Sequence, residues 1–101
     1  MLRRYFQTLH ARTVKVSILS KPQCCLCDQA EFGLNRMLEN LEPNIRSRIT
    51  IERVNIENDV ALENEYRLTI PVVLVDGEVA VESKIDPSLV RNAILDRFRD
   101  R

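Results

Sequence analysis

The sequence predicts one α/β domain with a four-stranded mixed sheet flanked by helices, in the order β-α-β-α-β-β-α. Three observations carry that reading. The apolar spacing switches from alternation to a helical period across a cysteine-bearing loop at residues 20–28. A second β-branched run follows the first helix, as a parallel βαβ unit with a right-handed crossover requires. An Asp-Gly pair then separates two further apolar runs, which marks an antiparallel hairpin.

In the first strand Val14, Val16 and Ile18 alternate with Lys15 and Ser17, and Leu19 follows, a pattern suited to a central strand. The loop Ser20-Lys21-Pro22-Gln23-Cys24-Cys25-Leu26-Cys27-Asp28 comes next. From Cys25 onward Ala30, Leu34, Met37, Leu38 and Leu41 recur at helical spacing, so a helix should run to about Asn40 and stop ahead of Pro43. Gly33 weakens it locally. Glu42 to Ser47 reads as a short polar turn, and Ile49 to Ile56 as the second strand. Asn58-Asp59 offers an N-cap for a shorter helix over Val60 to Arg67. Thr69 to Val81 holds the hairpin, turning at Asp76-Gly77. Asp86-Pro87 opens a last helix whose stripe is Leu89, Val90, Ala93, Ile94 and Phe98. That helix is expected to fray in the charged tail, Asp96 to Arg101.

Composition excludes several classes. A chain of 101 residues that is 45% apolar with two glycines is one small globular domain, not a low-complexity segment. Its formal net charge of zero hides an asymmetry. No acidic residue precedes Asp28, whereas Arg3, Arg4, Arg12, Lys15 and Lys21 do, leaving 10 basic residues against 15 acidic ones from position 28 onward. A basic domain that grips nucleic acid is excluded. Three cysteines within four positions are not a secreted disulfide framework. No apolar run reaches the roughly 18 residues of a membrane span, and no secretory h-region is present. The first thirteen residues, MLRRYFQTLHART, are basic and acid-free, with Leu2, Tyr5, Phe6 and Leu9 in amphipathic spacing. They read either as a mitochondrial presequence ahead of a domain at 14–101, or as a short basic terminus of a cytoplasmic protein. The only histidine, His10, falls there, so the domain has no catalytic histidine.

Cys24 and Cys27 form a C-x-x-C pair at a strand-to-helix junction, which reads as a thioredoxin-like redox motif. Unpaired N–H groups and the helix dipole favour a thiolate there. Such positions lower a cysteine pKa from about 8.5 to between about 3.5 and 7.5. Cys24 is the candidate nucleophile, and Cys27, one turn along, the resolving thiol. The rival reading is a pair of small buried hydrophobes. Cys25 is open between a spectator, a competing nucleophile and a member of a thiolate cluster. Lys21 either stabilises the thiolate or is an ordinary solvated lysine. Asp28 suits the helix dipole, Tyr66 reads as a core aromatic, and Asp86 as a cap.

This order, with C-x-x-C after the first strand and a proline opening the hairpin, resembles the thioredoxin superfamily, and more narrowly a glutaredoxin. Ser20-Lys21-Pro22-Gln23-Cys24 matches the Ser/Thr-Lys pair that glutaredoxins place two residues before the first cysteine. Thr69-Ile70-Pro71 matches their Thr-Val-Pro, where the proline is cis. Cys24 to Asp28 and Tyr66 to Val72 fit a small glutaredoxin-like group with C-x-L-C-D and Y-x-x-x-I-P-V segments. The resemblance spans about residues 14 to 99. It implies a thioredoxin-like fold and a dithiol thiol-disulfide oxidoreductase, with Lys21, Thr69, Ile70 and Pro71 binding substrate or glutathione. It also implies no permanent cofactor or metal, glutathione as co-substrate, and action as a monomer on disulfide-containing proteins or glutathione mixed disulfides. Two features depart from the pattern. Cys25-Leu26 replaces Pro-Tyr, and Val81-Glu82-Ser83-Lys84-Ile85-Asp86 replaces the Gly-Gly pair that closes on the γ-glutamyl end. Bulk and negative charge there should weaken glutathione binding. Two other readings stand beside this one: a thiolate metal or iron–sulfur module shared between two chains, and a non-catalytic thioredoxin-fold adaptor.

Overall fold

A computed structural model of the chain describes residues 12–99. The extension read as a presequence, and His10 within it, lie outside the described residues except for Arg12 and Thr13. The elements are β1 (Val14–Ser20), α1 (Cys25–Glu39), α2 (Pro43–Arg46), β2 (Ile49–Asn55) and a 3-10 turn (Ile56–Asn58). Then come α3 (Val60–Tyr66), β3 (Val72–Val75), β4 (Glu78–Glu82) and α4 (Pro87–Arg99). The sheet order is β2-β1-β3-β4. β1 runs parallel to β2 from Val14↔Ile49 to Ser20↔Asn55, and antiparallel to β3 from Val16↔Val75 to Leu19↔Val72.

β1 is buried at every position but Lys15, so both of its faces are covered. On one face Val14, Val16 and Ile18, with Val73 and Val75 of β3, meet Leu34 and Leu38 of α1 and Val90 and Ile94 of α4. On the other, Leu19 and Val72 pack with Ile56, flanked by Leu62 and Tyr66 of α3. The result is a three-layer α/β/α arrangement with the cysteine loop leaving the sheet from the C-terminal end of β1. No helix among the described residues is long and apolar enough to cross a membrane.

The hairpin turn has the geometry that Asp-Gly specifies: Asp76 and Gly77 adopt φ 51° and 87°, both left-handed. Asp76 also ties the turn to β1, its N–H donating to the Lys15 carbonyl and its carboxylate accepting the Lys15 N–H. Two expectations need correction. The polar turn at Glu42 to Ser47 contains α2, because Pro43 is pre-organised for the first helical position. The Ser47 hydroxyl closes that helix on the Asn44 carbonyl, and Arg46 reaches back to the carbonyl of Glu39. The charged C-terminal stretch does not fray before Arg99. Arg97 pairs with Glu78 at 2.5 Å and donates to the Val75 carbonyl, while Phe98 packs against the core.

The two glycines should respond in opposite directions to the same substitution. A Cβ on Gly33 would meet Pro87 Cγ at 3.5 Å, an ordinary contact, within a helix that favours alanine. Gly33→Ala should therefore raise stability by about 1 kcal/mol. Gly77 has open space around it but sits at φ 87°, so Gly77→Ala should cost about 1 kcal/mol through backbone conformation alone. Urea unfolding midpoints at constant m-value check both signs.

Candidate redox site

Between the buried end of β1 and the start of α1 the chain turns through only four residues, 21–24. Gln23 does so with φ 60°, a left-handed conformation that costs a side-chain-bearing residue on the order of 1 kcal/mol. Cys24 follows in extended conformation as the N-cap of α1. Its Sγ accepts the Cys27 N–H at 3.1 Å, taking the place that a serine or aspartate oxygen usually fills. Its carbonyl accepts the Asp28 N–H at 3.0 Å and begins the helix.

Cys24 and Cys27 are joined as a disulfide, their Cα atoms 5.2 Å apart. Cys24 is partly exposed, Cys27 is fully buried, and Cys25 is exposed and free. Accessibility therefore separates the two bonded thiols in the sense that attack and resolution require. Among the described residues no three His, Cys, Asp or Glu side chains gather into a metal-ligating group.

Pro71 is buried and its bond to Ile70 is cis. The register Leu19↔Val72 places it at the end of the sheet where Ser20 hands over to the cysteine loop. Thr69 and Pro71 are tied to the segment after β4: the Ser83 N–H donates to both of their carbonyls, and the Ser83 hydroxyl to that of Thr69. Ser83 achieves this at φ 65°, the backbone region a glycine adopts freely. The next amide, of Lys84, is also engaged, donating to the Glu82 carbonyl. Ser83, Lys84 and Ile85 form one wall of a groove of about 520 Å³ whose other wall is Leu26, Gln29 and Ala30 of α1. Leu26, between the bonded cysteines, is 59% exposed. Lys21 lies elsewhere, in a recess of about 240 Å³ with Ser20, Pro22, Arg53 and Asn55. The expected substrate-binding residues are thus divided, Lys21 on the β2 side and the Thr69–Pro71 segment toward β4.

Arg53 is the residue that sequence reasoning missed. Its Nε donates to the Ser20 hydroxyl at 2.9 Å, and its Nη1 to Asp28 at 2.7 Å and Glu31 at 2.9 Å. The Asp28 hydrogen bond raises Arg53 further above its ordinary pKa; partial burial opposes this, and Glu31 adds to the rise. In sequence Arg53 is one charged residue in a strand, and only the parallel register with β1 brings it to the loop. Asp86 is the cap it was read as: it accepts the N–H and hydroxyl of Ser88, which hold its carboxyl below the usual range.

The sheet order, the flanking layers, and the cysteine pair at the head of the first helix define a thioredoxin-like fold. The chain belongs to the glutaredoxin-like domain family (DUF836), whose model matches residues 15–95. Among solved structures it is similar to a structural-genomics target protein from X. campestris, at 26% identity over 81% of this chain and 96% of that one, with a TM-score of 0.58. A Staphylococcus aureus protein of unknown function superposes with a TM-score of 0.69 at 13% identity, covering 92% of this chain and 98% of that one. Mitochondrial thioredoxin 3 from Saccharomyces cerevisiae, in its oxidised form, gives 0.58 at 12% identity over 94% and 89%. No curated protein matches the chain significantly.

Burial orders the reactivity of the three thiols. In the reduced protein, iodoacetamide should modify Cys25 and Cys24 and spare Cys27 until the chain is unfolded. Peptide mass spectrometry reads this directly, and equal labelling of Cys27 would contradict the burial described.

Proposed function

We propose that this protein is a dithiol thiol-disulfide oxidoreductase that acts through Cys24 and Cys27, with glutathione as a weakly captured co-substrate. The observation that carries the proposal is a disulfide whose outer sulfur caps α1 while its partner is buried one turn along. The redox character agrees with the family.

The Cys24 thiolate attacks one sulfur of a substrate disulfide, forming a mixed disulfide and expelling the other sulfur as a thiolate that takes a proton. Cys27, once deprotonated, attacks Cys24 Sγ. The Cys24–Cys27 bond forms, the mixed disulfide breaks, and the second substrate thiol leaves. Two electrons have passed from the dithiol to the substrate, and two glutathione thiols return them by the reverse exchange, leaving as glutathione disulfide. The N–H of Cys27 and the helix dipole stabilise the negative sulfur at the start of the cycle.

The groove beside Leu26 and the Thr69–Ile70–Pro71 segment supports a substrate docked at this end of the sheet, with disulfide-containing proteins or glutathione mixed disulfides as partners. Lys21 makes no ion pair among the described residues, which suits it to a carboxylate of the substrate. The amides of Ser83 and Lys84 are already engaged and Glu82 lies beside them, so the γ-glutamyl end of glutathione has little to bind there.

The test is reduction of a mixed glutathione disulfide coupled to glutathione reductase. Wild type should turn over, with a rate that climbs with glutathione and saturates late. Cys24→Ser should be inactive, and Cys25→Ser should keep most of the activity. Activity surviving in Cys24→Ser sinks the assignment of the nucleophile.

A further inference from the structure

Nine residues, Ser20 to Asp28, carry the chain from β1 into α1, and both ends of that stretch meet one side chain from a third element. Arg53 of β2 holds the buried Ser20 hydroxyl with Nε and the Asp28 carboxylate with Nη1, and reaches Glu31 one turn further on. Within the span lies Gln23 at φ 60°, directly before Cys24. A non-glycine residue holds that conformation only where its surroundings enforce it.

The charges are arranged against the thiolate. Asp28 and Glu31 occupy the first two turns of α1, where negative charge opposes the helix field that stabilises Cys24. The charged groups around the loop are Lys21 within it, Asp28 and Glu31 on α1, Arg53 on β2, and Lys84 lining the groove with Leu26. The free, exposed thiol of Cys25 adjoins Cys24 in the chain. Arg53 is the cation that contacts both carboxylates. Asp28 is two-thirds exposed, so its pair with Arg53 contributes at most about 1 kcal/mol to stability. A pair worth so little to the fold, made by a side chain that also holds Ser20 at the other end of the cysteine loop, is placed to act on the site.

Resting on the dithiol reading above, we infer that Arg53 is a positioning residue of the redox site: it ties the two ends of the cysteine loop together and offsets the carboxylates of Asp28 and Glu31. Cys24 is thereby kept at the helix terminus in a field that favours its thiolate.

The test titrates Cys24 in reduced protein carrying Cys25→Ser, following thiolate absorbance and the alkylation rate against pH. Arg53→Gln leaves the two carboxylates unopposed and should raise the Cys24 midpoint, slowing alkylation at pH below that midpoint on the order of threefold, the effect of about half a pKa unit. Asp28→Asn breaks the same contact but removes negative charge, and should lower the midpoint. Arg53→Lys keeps the charge, should stay near the parent, and carries the test with Asp28→Asn should Arg53→Gln fail to fold. Opposite shifts are the expected result. Shifts in the same direction mean a merely structural clamp, and no shift means no role; either overturns the inference, even if turnover persists. A parent protein that shows the opposite shifts but does not turn over overturns the dithiol reading instead.

Discussion

The hydrogen bond from the Cys27 N–H to Cys24 Sγ is the contact on which the rest of the site depends. It exists because a cysteine stands where a helix needs a cap, and because β1 delivers that cysteine at a fixed height above the sheet. Burial of β1 on both faces leaves the strand no freedom to slide, since a one-residue slip would turn its apolar set into the wrong layer. Leu34 and Leu38 pin α1 to the same core. The helix N-terminus is thus held at the C-terminal end of a central strand with a sulfur on it, and Cys27 is sealed beneath.

The surroundings divide the work on that sulfur. Toward β4, the Ser83 amide joins Thr69 and Pro71, and it does so from a left-handed backbone. The amides of Ser83 and Lys84 are both engaged within the protein. Toward β2, Lys21 and Arg53 share a recess, but Arg53 already faces two carboxylates and a hydroxyl.

Much of this was legible in the residues. Alternation in Val14 to Leu19, the helical stripe from Ala30, and Asp76-Gly77 each predicted an element that local chemistry alone specifies. C-x-x-C at the period change located the disulfide. What escaped had three causes. The first helix does stop ahead of Pro43, but Pro43 also opens α2, because proline favours the first helical position as strongly as it forbids the interior. The tail after Asp96 was read as frayed because the partners of Arg97 lie about twenty residues away, on β3 and β4. Arg53 escaped for the same reason: its partners Ser20, Asp28 and Glu31 lie 22 to 33 residues away and meet it only through the register of β1 with β2. The left-handed Ser83 carried no signal at all, since serine there looks like any loop residue.

The most direct measurement is an equilibrium redox titration of the protein carrying Cys25→Ser, across dithiol buffers of stepped potential, with thiols trapped and counted by mass. The account predicts one reversible two-electron transition belonging to the Cys24–Cys27 bond, in the span of roughly −120 to −270 mV that thioredoxin-fold exchangers occupy. A pair that stays oxidised or stays reduced across that range would contradict it, leaving a disulfide or two thiols with a structural role only.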